Sequence, residues 1–178
     1  MRSVHRIRHL TTRYFSSLGA RRLDDATAAW VAEALEPGER EVWVGMSRAD
    51  QAEGVAVARA FGEASADDDP RWRAAALVHD AGKQVSGYGN FGRVYATLVI
   101  VLVGKARVRE WAGLTGRVRP RVGWYAAHDD LGAELLRTAG ARPEVAAWAA
   151  AHHRPDRWVA TGIPEAVCRQ LAQADGEL

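Results

Sequence analysis

The chain reads as an all-α helical bundle of about six to eight helices, one layer of helices packed on another around a shared core. Three observations carry that reading. Apolar residues recur at helical spacing, as at Val55, Ala58 and Phe61 and again at Trp124, Ala127, Leu131 and Leu135. Start and stop residues fall between these segments: Asp24, Ser47, Pro70, Pro143 and Pro164 open helices, and Pro37-Gly38, Gly82 and Gly140 close them. The one β-branched run, Val94 to Val103, finds no partner strand elsewhere.

The elements follow in order. Residues 1–22 form a basic arm, with Arg2, Arg6, Arg8, Arg13, Arg21 and Arg22 and no acid. Asp24 caps a helix through Trp30, Val31 and Leu35, which Pro37-Gly38 stops, and Glu39 to Met46 makes a short helical turn. Residues 23–46 are thus leading helices, and residues 47–178 form the main domain. Ser47 or Asp50 caps a helix carrying Val55, Ala58 and Phe61. Ala66 to Asp69 is a loop, and Pro70 suits a first helical turn. An alanine-rich helix from Trp72 to His79 ends at Gly82, and Gly87-Tyr88-Gly89-Asn90 is a turn. The Val94 to Val103 run is about half the length needed to span a bilayer. A buried helix is expected there, with a membrane-surface helix as the second reading. One helix is expected from Arg121 to Thr138. Pro143 opens another, which carries Val145, Trp148 and Ala149 to His152-His153. Pro164 starts the last, through Val167 and Leu171 to Asp175.

Length and composition fit a single domain. The chain has 178 residues, 48% of them hydrophobic and 26% charged, as in ordinary soluble proteins. A single cysteine, Cys168, excludes an internal disulfide framework and a cysteine zinc cluster, and fits a reducing compartment. The N-terminus lacks the apolar core of a secretory signal, so a cytoplasmic location is expected. Formal net charge is only +2, but the cations cluster. Besides the arm, Lys105, Arg107, Arg109, Arg117, Arg119 and Arg121 stand against Glu110 alone. These clusters read either as solvated tail and loop or as contacts for anionic partners: substrate phosphate, nucleic acid or lipid head groups.

The chemistry concentrates in His79-Asp80-Ala81-Gly82-Lys83, His128, His152-His153 and Asp175. Each sits at the end or on the face of an expected helix. Neutral imidazole and carboxylate are ligands for divalent first-row metals, and a carboxylate can bridge two ions. His128 lies one turn from Trp124 and Leu131 and so faces the interior. His152 and His153 point about 100° apart on a helix. Asp129 and Asp130 read as solvated, with Asp129 alternatively bonding a neighbouring ligand. Lys83 reads either as a charge at a helix C-terminus or as a contact for phosphate. Trp124 and Trp148 read as core residues.

The order of these residues resembles the HD superfamily of metal-dependent phosphohydrolases over roughly Ser47 to Asp175. The strongest elements are Ala75-Ala76-Leu77-Val78-His79-Asp80-Ala81-Gly82-Lys83 and His128-Asp129-Asp130-Leu131-Gly132-Ala133-Glu134-Leu135-Leu136. The second element and His152-His153 are distantly similar to the HD-GYP branch. Gly162-Ile163-Pro164 follows too far on and lacks that branch's tyrosine. Ala172-Gln173-Ala174-Asp175 resembles the closing aspartate of the superfamily. The family's first histidine has no counterpart, since none lies between His9 and His79; Glu53 stands where it is expected.

The resemblance implies one or two divalent ions, manganese, iron or magnesium. His79, Asp80 and Asp175 would hold the first, and Asp80 would bridge to a second held by His128, His152 and His153. Asp80 and Lys83 would serve catalysis, Lys83 through the substrate phosphate. Glu53 as a ligand would favour harder ions. The implied activity is hydrolysis of a phosphate ester of a small metabolite or nucleotide. The alternative is a catalytically degenerate HD domain that senses a nucleotide or binds a protein. A nucleic-acid partner ranks behind both, since no recognised nucleic-acid-binding motif accompanies the basic clusters. No segment is long and apolar enough to suggest a transmembrane helix.

Overall fold

The computed structural model describes residues 22–65 and 69–176. The basic arm expected over residues 1–22 lies, except for Arg22, outside the described residues, as does most of the loop before Pro70. The described chain is all helical: α1 (Asp25–Ala34), α2 (Pro37–Gly45), α3 (Arg48–Ala64), α4 (Pro70–Val78), α5 (Asn90–Val103), α6 (Lys105–Arg109), α7 (Arg119–Ala126), α8 (His128–Thr138), α9 (Pro143–Ala151) and α10 (Glu165–Asp175). Short 3₁₀ segments cover Ala81–Ser86, Glu110–Gly113 and Pro155–Thr161.

Caps set the helix starts. The Thr27 N–H donates to Asp24 Oδ1 at 2.7 Å, and the Arg71 N–H donates to Asp69 Oδ1 at 2.9 Å. Ser47, not Asp50, caps α3, because its Oγ accepts from the Asp50 N–H at 3.2 Å. Each cap satisfies a first-turn donor that has no partner within its helix.

The helix count exceeds the expected six to eight for two physical reasons. The stretch from Arg121 to Thr138 is not one helix: it breaks at Ala127, with φ −102° and ψ 15°, into α7 and α8. The basic stretch expected as loop contains α6.

Helix α4 is the centre of the bundle, contacted by α1, α2, α3, α9 and α10. Ala74, Ala75, Ala76, Leu77 and Val78 are fully buried. Three successive alanines let neighbours approach from every side, and the chain exploits this at Gly54 of α3. A Cβ there would meet the Leu77 carbonyl oxygen at 2.3 Å. Val31, Trp43, Phe61, Leu136, Trp148 and Leu171 complete the same core, so residues 23–46 share it with the rest of the described chain. Arg142 fastens the two together. Its guanidinium donates to the buried Glu39 carboxylate at 2.8 and 2.6 Å, which keeps that charge paired.

The buried helix expected at Val94 to Val103 is a helix but is not buried. Only Ala96 of α5 is buried, while Leu98, Val101 and Leu102 are 57, 73 and 84% exposed. Helix α5 packs on α6 and α7 through a small separate cluster of Ala96, Val108, Val122 and Ala126. One stripe of the helix meets that cluster. A run that is apolar all round carries no mark of which side has neighbours.

Candidate metal centre

Because α4 is enclosed, its C-terminal end delivers His79 and Asp80 into the middle of the molecule, 2% and 4% exposed. His152 ends α9, His128 follows α7, and Asp175 ends α10. The three histidines are aimed by one local device. His79 Nδ1 donates to the Ala76 carbonyl at 2.8 Å, His128 Nδ1 to Tyr125 at 2.9 Å and His152 Nδ1 to Ala149 at 2.9 Å. Last-turn carbonyls of a helix have no intrahelical partner, so a histidine at the helix end satisfies one. A carbonyl only accepts, so Nδ1 carries a proton, and in the neutral ring Nε2 carries the lone pair.

Those Nε2 atoms converge on Asp80. His79 Nε2 lies 3.3 Å from Asp80 Oδ2 and 3.5 Å from Asp175 Oδ1. His128 and His152 Nε2 lie 3.3 and 3.8 Å from Asp80 Oδ1. His79 Nε2, His128 Nε2, His152 Nε2 and Asp80 Oδ1 are all buried, and none makes a hydrogen bond. Lone pairs and a carboxylate oxygen turned toward one another need a cation among them, either a proton or a metal ion. A backbone-anchored imidazole with an inward Nε2 is also the usual arrangement of a metal-ligating histidine. The residues present therefore fit a divalent ion. His153 stands beside His152, with ring centroids 3.9 Å apart. Ligand atoms of His128, His152 and His153 all lie within 4.8 Å of one another, so this trio could hold a metal ion. The two sets share His128 and His152.

Protonation follows position. Burial alone would lower the His79 pKa, but the carboxylates of Asp80 and Asp175 outweigh it and hold it well above the ordinary value. Burial, then the neighbouring His153 and His79, pushes His152 well below it. Burial would raise the Asp80 pKa, but the charges of Lys83 and His79 hold it well below the usual carboxylate range. Lys83 is likewise desolvated, yet Asp80 and Glu53 keep it firmly charged. The Lys83 ammonium rests on Asp80 Oδ2 and lies 3.6 Å from Glu53 Oε2. Lys83 thus joins Glu53 to the centre.

All the residues selected from the sequence are therefore gathered at one place. Gly82 makes this possible: a Cβ there would sit 1.9 Å from the His128 carbonyl oxygen and 2.5 Å from the Gly132 nitrogen. Only glycine lets the segment after Asp80 lie flat on the start of α8.

One expectation is overturned. Asp129 is not solvated but 1% exposed. Arg109 Nη1 reaches its Oδ1 at 2.7 Å, and Arg154 Nη2 and Lys105 Nζ reach its Oδ2 at 3.2 and 3.6 Å. Burial would raise its pKa, but Lys105 and Arg109 outweigh that and hold it below the usual carboxylate range. Asp130 remains exposed and pairs with Arg109 and Arg154. Two of the cations belong to the basic cluster that also read as free loop, and they hold the residue next to His128.

Two other residues escaped the sequence reading. Arg93 of α5 grips the buried Asp50 with both terminal nitrogens, bracing the first turn of the helix that carries Glu53. The ring of Tyr125 stands 6.1 Å from that of His128. Asp50 and Arg93 are 43 positions apart, and no local pattern links them.

A hollow of about 490 Å³ opens elsewhere, beside Thr27, Trp30, Arg59 and Arg73, and none of the histidines lines it. Comparison of the chain with family models, with curated proteins and with solved structures returned no match.

Proposed function

We propose that this protein is a metal-dependent phosphohydrolase of the HD type, acting on a phosphate ester of a small metabolite or nucleotide. The observation that carries the reading is the convergence of His79 Nε2, His128 Nε2, His152 Nε2 and Asp80 Oδ1, buried and without hydrogen bonds. His79, Asp80 and Asp175 would hold one ion, and His128, His152 and His153 a second, with Asp80 shared. Manganese, iron or magnesium suits this nitrogen and oxygen set. Bound divalent ions in such a site activate water as a nucleophile and neutralise phosphoryl oxygens. The chain's own residues hold and screen that chemistry. The Nδ1 bonds fix the imidazole directions, and Asp129 with its cations steadies the backbone beside His128. Lys83, which rests between Asp80 and Glu53, would offer its ammonium to the substrate phosphate.

Elemental analysis tests the site on protein as isolated and after incubation with manganese, with Asp80→Ala and His128→Ala as controls. Near-stoichiometric metal in wild type and little in the variants is expected, followed by phosphate release from a panel of phosphate esters that both variants lose. Absence of metal from wild type under both conditions overturns the proposal.

A second reading rests on Glu53. The carboxylate standing at the family's first-histidine position is engaged with the Lys83 ammonium. On this reading the fold persists as a nucleotide-sensing or protein-binding module without turnover. Hydrolysis that appears only in Glu53→His supports it, and hydrolysis by the unaltered chain rules it out.

A further inference from the structure

Helix α5 carries an apolar stripe that nothing among the described residues covers. At about 100° per residue, Phe91, Tyr95, Leu98 and Leu102 fall on one line, with Val101 beside it. They are 82, 49, 57, 84 and 73% exposed. Exposed apolar residues scattered singly are ordinary, whereas a contiguous stripe marks an interaction surface. The opposite side, at Ala96, Val99 and Ile100, packs on the small cluster with Val108 and Val122.

Charge identifies the occupant. Of the eight lysines and arginines from Ala81 to His128, Lys83, Arg93, Lys105 and Arg109 pair with carboxylates, while Arg107, Arg117 and Arg119 are exposed, and the one acid of that segment is Glu110. Lys105 opens α6 directly after the stripe ends. Arg107 and Arg117 are exposed and have no acidic partner among the described residues. Leu114 and Val118, exposed at 45 and 54%, add apolar side chains within the same basic stretch. A second copy docking through this face would be related by a two-fold axis and would set the basic segment against itself. An anionic lipid surface accepts the apolar stripe and the cations together. The 14 residues of α5 measure about 21 Å, short of the roughly 30 Å of a bilayer's hydrocarbon core. No helix among the described residues is long and apolar enough to cross a membrane.

We propose that α5 and the basic residues after it dock this protein on an anionic membrane surface. The helix lies in the headgroup plane with Phe91, Leu98 and Leu102 turned toward the acyl chains. This proposal is independent of the metal chemistry.

The test is co-sedimentation of the full chain with phosphatidylcholine vesicles that do or do not contain about 30% phosphatidylserine, an anionic content that attracts exposed lysine and arginine. Binding is expected to the anionic vesicles and to fall several-fold between about 0.1 and 0.5 M salt. Leu98→Ser with Leu102→Ser should weaken it about tenfold per leucine, through lost apolar burial. Arg107→Glu with Arg117→Glu should weaken it at least fivefold per arginine. These positions are exposed, so circular dichroism should match wild type. Three results overturn the proposal. One is no binding to anionic vesicles. Another is full binding by the leucine variant, which would assign the affinity to charge alone. The third is a dimer in sedimentation velocity that the leucine variant dissolves while vesicles fail to bind.

Discussion

Divalent metal should stabilise this protein by an amount that His128→Ala abolishes. The centre holds four buried polar atoms without hydrogen bonds, His79 Nε2, His128 Nε2, His152 Nε2 and Asp80 Oδ1. Each such atom costs about 1–3 kcal/mol. Ligation satisfies them together. At free manganese one hundred times its Kd, the gain is about 2.7 kcal/mol. For a chain of this length that is a rise in Tm of about 5–11 °C. In EDTA, His128→Ala loses a buried ring and one bond to the Tyr125 carbonyl, but also removes one unsatisfied atom. It should therefore lie within about 1 kcal/mol of wild type, below the roughly 2–5 kcal/mol of an ordinary large-to-small core change. With manganese the variant should gain nothing. The assay is thermal unfolding in EDTA and across a manganese titration. Equal Tm values for wild type in both conditions, or an equal gain in His128→Ala, would refute the reasoning.

Asp80→Asn in EDTA should lower stability by about 3 kcal/mol, because it strands the Lys83 ammonium with Glu53 alone. Adding Lys83→Met should recover part of that loss, and urea midpoints for the double-mutant cycle that sum without coupling would contradict the pairing. The pH dependence in EDTA should have two opposed arms. His152 is depressed by burial and by His153, so its contribution is complete above about pH 6.5 and is lost as the pH falls below that value toward its folded pKa. His79 is raised by Asp80 and Asp175 against burial, so its contribution is complete below about pH 6.5 and is lost as pH rises through its folded value. Urea midpoints should show His152→Ala flattening the acid arm, and His79→Ala flattening the alkaline arm while also reducing the acid one, since His79 helps depress His152; superimposed wild-type and variant profiles would contradict both assignments. Gly82→Ala should destabilise the fold by about 1–3 kcal/mol and weaken manganese binding, since its Cβ would overlap the His128 carbonyl. Manganese affinity equal to wild type would show that the flat approach to α8 is not required.

Local chemistry made much of this protein legible. Helix starts at Asp24, Ser47, Pro70, Pro143 and Pro164 depend on a cap or a ring within a few residues, and the structure places helices at each. The cluster residues were also legible. Histidines and aspartates at helix ends are local features, and their convergence needed only that the helices pack. Other properties depend on which surfaces meet. The stripe at Leu98 and Leu102 and the stripe at Ala96 and Ile100 are equally apolar in sequence, yet among the described residues only the second has neighbours, because α5 meets α7 along one line. Asp129 reads as a surface acid by composition. It is buried because Lys105, Arg109 and Arg154, from distant positions, close around it and offset its desolvation. The Nε2 atoms point at Asp80 because α4 is enclosed by five helices. The residue types were set by the sequence, and the directions in which they point were set by the packing around α4, since a side chain's surroundings depend on contacts that no short stretch of chain contains.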